Sequence, residues 1–65
     1  MDTNEIAAIV KSTRKEQKLS QTELAGLAGT GLRFIVNLEQ GKKSCQLQKV
    51  LDVLRALGIK VQLEK

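Results

Sequence analysis

Residues 20–41 read SQTELAGLAGTGLRFIVNLEQG, and this stretch decides the fold. Residues 20–23, Ser-Gln-Thr-Glu, have the S-x-x-E spacing of a capping box, in which the serine and glutamate side chains each accept a hydrogen bond from the other residue's backbone N–H. An apolar run follows at once, so a short helix is predicted here, with Leu24 and Ala28 on its inner face. Gly29 then allows the left-handed conformation that a sharp turn between helices requires.

A second helix is predicted over about 32–40, with Ile35 and Leu38 facing inward. Gly41 is its natural C-terminal stop. Two short helices joined by a glycine-containing turn have the layout of a helix-turn-helix, whose second helix can enter the major groove of DNA. The motif is predicted to occupy residues 21–41.

The flanking segments predict two more helices. Asp2 or Thr3 can cap a first helix that ends near Lys18. One face of that helix is predicted from helical spacing to hold Ile6, Ile9, Val10 and Thr13. Ser44 can cap a helix that Gly58 closes. Its inner face is predicted to hold Leu47, Val50, Leu51, Leu54 and Leu57.

Residues 59–64 change period, because Ile-Lys-Val-Gln-Leu-Glu alternates apolar and polar side chains as a strand does. No other segment predicts a strand, so the simplest partner is the same strand of a second copy, antiparallel across a two-fold axis. We therefore expect a homodimer whose interface includes Ile59, Val61 and Leu63. The alternative is a frayed tail.

The amino-acid composition excludes several classes of protein function. The 65 residues carry a net charge of +4 and contain one cysteine and no histidine. The chain therefore lacks the residues for a Cys/His zinc site, an internal disulfide or the usual His-assisted nucleophile, and we expect no cofactor, no metal and no enzymatic activity. The longest uncharged run, 24–32, is far shorter than the roughly 20 apolar residues of a membrane span. These features predict one basic, cytoplasmic domain over residues 1–65.

Three stretches, LSQTELA at 19–25, AG at 28–29 and IVNLEQG at 35–41, closely resemble the Cro/repressor-type (XRE) helix-turn-helix family. The resemblance covers residues 6–57. It implies an all-α, lambda-repressor-like bundle of four to five short helices, with a C-terminal strand that pairs across a homodimer. Within this family, RFI at 33–35, Gly41-Lys42 and the leucine-rich helix before Gly58 look like HipB-type antitoxins, small dimeric repressors that pair with a HipA-family kinase toxin.

The resemblance also implies roles for individual residues. Gln21 matches the position that contacts the DNA backbone and supports the recognition helix. Gly31 stands before that helix where the family often has Ser or Thr, and the outward face comprises Leu32, Arg33, Val36 and Asn37. The phosphate-contacting end of the motif is matched by Gln40, Lys42 and Lys43. Arg14 and Glu39 match a pair that joins the first and third helices in phage repressors.

The side-chain chemistry of the outward face fits base recognition. The guanidinium of Arg33 can make a bidentate contact with guanine, and the amide of Asn37 can do the same with adenine. Leu32 or Val36 can meet a thymine methyl group. Leu32 occupies a position often filled by Gln or Arg, so Arg33 is expected to carry more of the direct readout.

The function predicted first is that of a sequence-specific repressor that binds a palindromic DNA operator. The protein would be an antitoxin that pairs with a HipA-like kinase and represses the operon that encodes both. An alternative is a phage-type or restriction-modification controller regulator without a toxin. An alternative of another class is a protein-interaction module that has lost DNA recognition, because fold alone does not fix function. The retained Gln21, Arg33, Asn37 and Lys42-Lys43 argue against the last alternative.

Overall fold

A computed structural model describes residues 2–43 and 46–61 and contains four helices within them. In chain order these are α1 (Thr3–Glu16), α2 (Gln21–Ala28), α3 (Leu32–Glu39) and α4 (Leu47–Ala56). The predicted helical bundle, with its turn between α2 and α3, is confirmed for the described residues.

Side-chain caps start the first two helices. Asp2, the first of the two predicted candidates, accepts a hydrogen bond from the backbone N–H of Glu5 at 2.8 Å. At α2 the capping box is complete, since Ser20 Oγ accepts from the N–H of Glu23 and Glu23 Oε1 accepts from the N–H of Ser20, both at 2.9 Å.

The other two helix starts differ. Gly31 precedes α3 and offers no side-chain cap. The N-cap position of α4 is held by Gln46. The expected cap, Ser44, lies outside the described residues, and it is two positions too early because α4 begins at Leu47.

All four helices end in the same hydrogen-bonded motif. A residue with positive φ follows each helix, and its N–H and that of the next residue bond back to carbonyls of the last turn. The four left-handed residues are Lys18, Gly29, Gly41 and Gly58. The three glycines confirm the predicted helix ends. Lys18, with φ of 58°, adopts a backbone conformation that residues other than glycine rarely adopt.

The core lies where α2 packs on α3 and α4, and where α3 packs on α1. It consists of buried side chains from every helix and from the end of α4, namely Val10, Leu24, Ala25, Ile35, Leu38, Val50, Val53, Leu54 and Leu57. The predicted inward positions of α3, Ile35 and Leu38, are confirmed. Phe34 packs against the same core, and Lys49 Nζ of α4 lies 5.8 Å from its ring centroid.

Two predicted inner faces are wrong in part. The buried line of α1 runs through Ala7, Val10 and Arg14, while Ile9 is exposed. In α4, Leu47 is 68% exposed and Val53 is fully buried. Each buried line has helical spacing, as the predicted one also has, so periodicity alone does not select between neighbouring flanks of one helix. Packing against the other helices makes that selection.

Residues 59–61 form neither helix nor strand in the single chain. Ile59 packs against the core, and its N–H donates to the carbonyl of Leu54 at 2.9 Å. The rest of the predicted strand, 62–64, lies outside the described residues, so the strand and its pairing stay predictions. Within the described ranges, every helix is too short or too polar to cross a membrane.

Candidate nucleic-acid interface

The third helix has one face in the core and one face outside it. Ile35 and Leu38 are buried, whereas Leu32 is 45% exposed and Arg33 is exposed. Val36 and Asn37 are half-buried. The predicted outward residues thus lie together on the side of α3 that the protein leaves uncovered.

That outer face contains two strips with helical i, i+4 spacing. Leu32 and Val36 form an apolar strip, and Arg33 and Asn37 form a polar strip beside it. Residues at this spacing lie one above the other along a helix. The face therefore presents hydrogen-bonding groups and apolar groups side by side over its whole length.

A buried ion pair fixes α3 against α1. Arg14 Nε donates to Glu39 Oε2 at 2.6 Å, and Arg14 Nη2 donates to Glu39 Oε1 at 3.0 Å. The two side chains are 10% and 3% exposed. Arg14 Nη1 also donates to the carbonyl of Leu19 at 2.7 Å, so the same guanidinium holds the turn before α2. The expected Arg14–Glu39 pair is present with bidentate geometry.

The hydrogen bond that Arg14 donates to Glu39 raises the pKa of Arg14 above its usual value. Burial opposes this effect, and the charge of Glu39 adds to it. A charged pair removed from water needs further hydrogen bonds to offset its desolvation, and Leu19 supplies one of them.

Gln21 supplies another of these bonds. Its Nε2 donates to Glu39 Oε1 at 3.2 Å, so the first residue of α2 is tied to the last residue of α3. The expected supporting contact of Gln21 with the recognition helix is thus visible in the structure. Since the amide has a second N–H, the half-buried side chain keeps a donor with which to contact a phosphate.

The expected phosphate-contacting residues follow the end of α3. Gln40, Lys42 and Lys43 are all exposed. Gly41 has φ of 77°, and a Cβ atom on it would lie only 2.6 Å from Asn4 Oδ1 of α1. The positive φ favours glycine at this position, and a larger residue would also have to displace the side chain of Asn4.

Sequence reasoning missed two partners in this arrangement. Asn4 lies against Gly41, and the carbonyl of Leu19 accepts from Arg14. Each contact joins a side chain of α1 to the backbone of a residue that follows a helix end, Gly41 after α3 and Leu19 after α1. No local signal in the sequence marks them.

A second, separate surface lies at the end of α4. Leu51, Arg55, Ile59, Lys60 and Val61 line a shallow groove there. Of the expected dimerisation residues, Ile59 is half-buried and Val61 is 44% exposed, while Leu63 lies outside the described residues. Within residues 2–43 and 46–61, no cluster of three or more metal-ligating side chains occurs.

In this structure a helix with an exposed face follows another helix after a turn that contains glycine. This arrangement defines a helix-turn-helix domain. A family model described as helix-turn-helix matches residues 10–63. The chain belongs to the XRE-type helix-turn-helix family of DNA-binding regulators. It is 56% identical over 59 residues to the uncharacterized HTH-type transcriptional regulator y4mF of Sinorhizobium fredii, a match that covers 91% of this chain and 78% of that protein.

Proposed function

We propose that this protein is a homodimeric, sequence-specific transcriptional repressor that binds a palindromic operator in the bacterial cytoplasm and associates with the nucleoid. The observation that carries the proposal is the outer face of α3. It presents Leu32, Arg33, Val36 and Asn37 away from the core, while Arg14, Glu39 and Gln21 fix the helix from behind. A reading surface held rigidly in this way needs little rearrangement on binding.

The length of α3 supports a dimer. A helix of eight residues is about 12 Å long and spans about four base pairs of the major groove. A sequence of about four base pairs occurs very often in a genome. A second copy of the protein would double the number of base pairs that are read. Two-fold symmetry would place the second recognition helix about 34 Å away and require a palindromic site.

The groove at the end of α4 is the proposed dimer surface. Its apolar lining includes Leu51 and Val61, which the single chain leaves partly exposed. The chain continues for four residues beyond Val61, and its alternation places Leu63 in register with Ile59 and Val61. The proposed occupant is therefore the C-terminal segment of a second copy, with the strands paired antiparallel.

Cations near the reading surface would supply much of the affinity. Lys42 and Lys43 lie directly after α3, and both are exposed. Neutralising phosphates releases the counterions of DNA, so binding is expected to weaken steeply as salt rises.

The test is selection of bound sequences from a random duplex DNA pool at two salt concentrations. An enriched palindrome with a steep salt dependence is the expected result. Salt-dependent binding without any enriched sequence would contradict sequence-specific repression. It would favour the protein-interaction module instead.

We further propose that the protein is the HipB-like antitoxin of a type II toxin-antitoxin operon, which neutralises a HipA-family kinase and represses its own promoter. The support is the resemblance carried by residues 33–35, Gly41-Lys42 and the leucine-rich α4 that ends before Gly58. A stand-alone regulator of phage or restriction-modification type is the competing function. It fits the relative, whose name states only transcriptional regulation.

Co-expression with the product of the neighbouring gene separates these two functions. An antitoxin is expected to form a stable complex with a neighbouring kinase and to relieve the growth arrest that the kinase causes. A neighbouring product that neither binds nor is neutralised would contradict the antitoxin role and leave the stand-alone regulator. A variant with Arg33→Ala is the matched control, because it removes a base contact and should still neutralise the kinase.

A further inference from the structure

We propose that the apolar strip of α3, Leu32 and Val36, reads the 5-methyl groups of pyrimidines in each half-site, so that binding distinguishes thymine from uracil and 5-methylcytosine from cytosine. This inference rests on the proposed function and names the chemical groups that its site recognises.

The exposure of Leu32 is the first observation. Leu32 is the first residue of α3 and is 45% exposed, although leucine gains by burial. The residue before it, Gly31, adds no side chain to cover it. The N-terminal residues of a recognition helix are those that contact base edges, so this apolar side chain stands where bases would lie.

The position of Val36 is the second observation. It lies one helical turn after Leu32, and it is half-buried. The two side chains therefore extend one apolar line along the outer face. Ile35 and Leu38, on the buried side of the helix, attach α3 to the core, and neither Leu32 nor Val36 is among the side chains that pack there.

The neighbouring polar strip indicates the occupant. Arg33 adjoins Leu32 in the chain, is exposed, and has a guanidinium that fits guanine O6 and N7. In the major groove the only apolar group on an unmodified base edge is the methyl of thymine. A pyrimidine next to the guanine read by Arg33 would place its C5 substituent against Leu32.

The chemistry predicts a measurable discrimination. Burying one methyl group against an apolar side chain strengthens binding by about fourfold. Two symmetric half-sites would then give about 15-fold. Cytosine methylated at C5 carries the same group at the same position. A duplex with 5-methylcytosine there should therefore bind more tightly than one with cytosine, by the contribution of the methyl group.

The experiment uses the enriched duplex from the selection described above and the unmodified protein. Thymines are replaced by deoxyuridine one symmetric pair at a time, and Kd is measured by fluorescence anisotropy at fixed salt. We expect at least one pair whose replacement weakens binding by about 15-fold. At that pair, 5-methylcytosine is expected to bind about 15-fold more tightly than cytosine.

Two variants connect the effect to the strip. Leu32→Ala should bind the thymine and uracil duplexes alike at the sensitive pair, and its helical circular dichroism should match the wild type because the side chain is largely outside the core. Leu47→Ala is the matched control, since Leu47 is also an exposed leucine but lies on α4. It should keep the full discrimination.

The outcomes separate this inference from the proposed function. If the pool gives no enriched duplex, the proposed function fails and this inference fails with it. If a palindrome is enriched but every uracil substitution is neutral, methyl readout is overturned and the repressor stands. If Leu32→Ala and Val36→Ala both keep the discrimination, the assignment to the strip is overturned.

Discussion

At the scale of single residues, Glu39 concentrates the contacts that orient the recognition helix. Its carboxylate accepts from Arg14 of α1 and from Gln21 of α2 while it sits at the end of α3. Buried ion pairs add little net stability over apolar replacements, but a single buried charge left without its partner is very costly. The pair therefore acts mainly on helix orientation.

Arg14→Met leaves Glu39 buried without its main partner and is expected to lower the free energy of unfolding by about 3–5 kcal/mol. The double variant Arg14→Met with Glu39→Met should recover most of this loss, because no charge then remains in the interior. Urea denaturation followed by circular dichroism measures both. If the losses of the two single variants simply add in the double variant, the proposed coupling is wrong.

Arg33 and Lys43 test the division between base and phosphate contacts. Arg33→Ala should weaken operator binding by about 1–3 kcal/mol and relax the preference at one base pair of each half-site. Lys43→Ala should weaken all sequences alike and lower the salt dependence by about one phosphate. Titration of operator and scrambled duplexes at several salt concentrations checks this. A uniform loss for Arg33→Ala would contradict its role in base readout.

At the scale of the helices, the ends could be predicted from sequence better than the buried faces. The capping box of Ser20 and Glu23 and the stops at Gly29, Gly41 and Gly58 depend on neighbouring residues only, so local patterns suffice. The burial of Val53 and the exposure of Leu47 depend on which side of α4 packs against another helix. A single sequence does not contain that information.

The candidate site divides in the same way. The outward face of α3 followed from its spacing and from the family resemblance, because the inward positions Ile35 and Leu38 fix the rotation of the helix. The contact of Asn4 with Gly41 joins residues far apart in the chain, and it required the packed structure.

The capping box makes the stability of α2 depend on pH. The backbone N–H of Ser20 donates to Glu23, and chiefly for this reason the pKa of Glu23 is below its usual 4.5. A lowered pKa stabilises the fold above the unfolded-state value, and this contribution is lost as the pH falls through the folded-state value. Wild type should therefore be more stable than Glu23→Gln at neutral pH, and the difference should shrink as the pH falls through the folded-state pKa of Glu23. Thermal unfolding at several pH values measures it, and a difference independent of pH would contradict the expectation.

Among the four helices that the structure describes, only α1 is followed by a left-handed residue other than glycine, and that residue is Lys18. Lys18→Gly removes a steric cost and adds entropy to the unfolded chain, so we expect a net stabilisation of about 0.5 kcal/mol. The same change at Lys15, within the last turn of α1, should instead destabilise by about 1 kcal/mol. Denaturant midpoints of both variants check this, and a loss for Lys18→Gly would show that its side chain has a partner in solution.

At the scale of the whole molecule, the four helices and their order could be predicted, while assembly stays a proposal. A 65-residue chain buries a smaller share of its surface than a larger domain does, so a second copy would add stability as well as DNA contacts. The predicted strand needs a pairing partner, and the described part of a single chain contains no strand that could serve as one.

Val61→Asp tests the proposed dimer. A charge in the groove beside Leu51 should shift the assembly toward monomers, and Tm should then no longer rise with protein concentration. Sedimentation equilibrium measures the assembly directly, and Lys11→Asp, at an exposed position of α1 that does not line the groove, is the control. A wild-type chain that sediments as a monomer at all concentrations would contradict the dimer.

The two faces of α3 have a consequence for how this protein can change. Folding depends on Ile35, Leu38 and Glu39, whereas the proposed readout depends on other positions of the same eight residues. Substitutions on the outer face can therefore alter the preferred operator with little effect on the scaffold. A new specificity is accessible by changing very few codons, both to natural drift between duplicated copies and to an engineer who screens variants of that face.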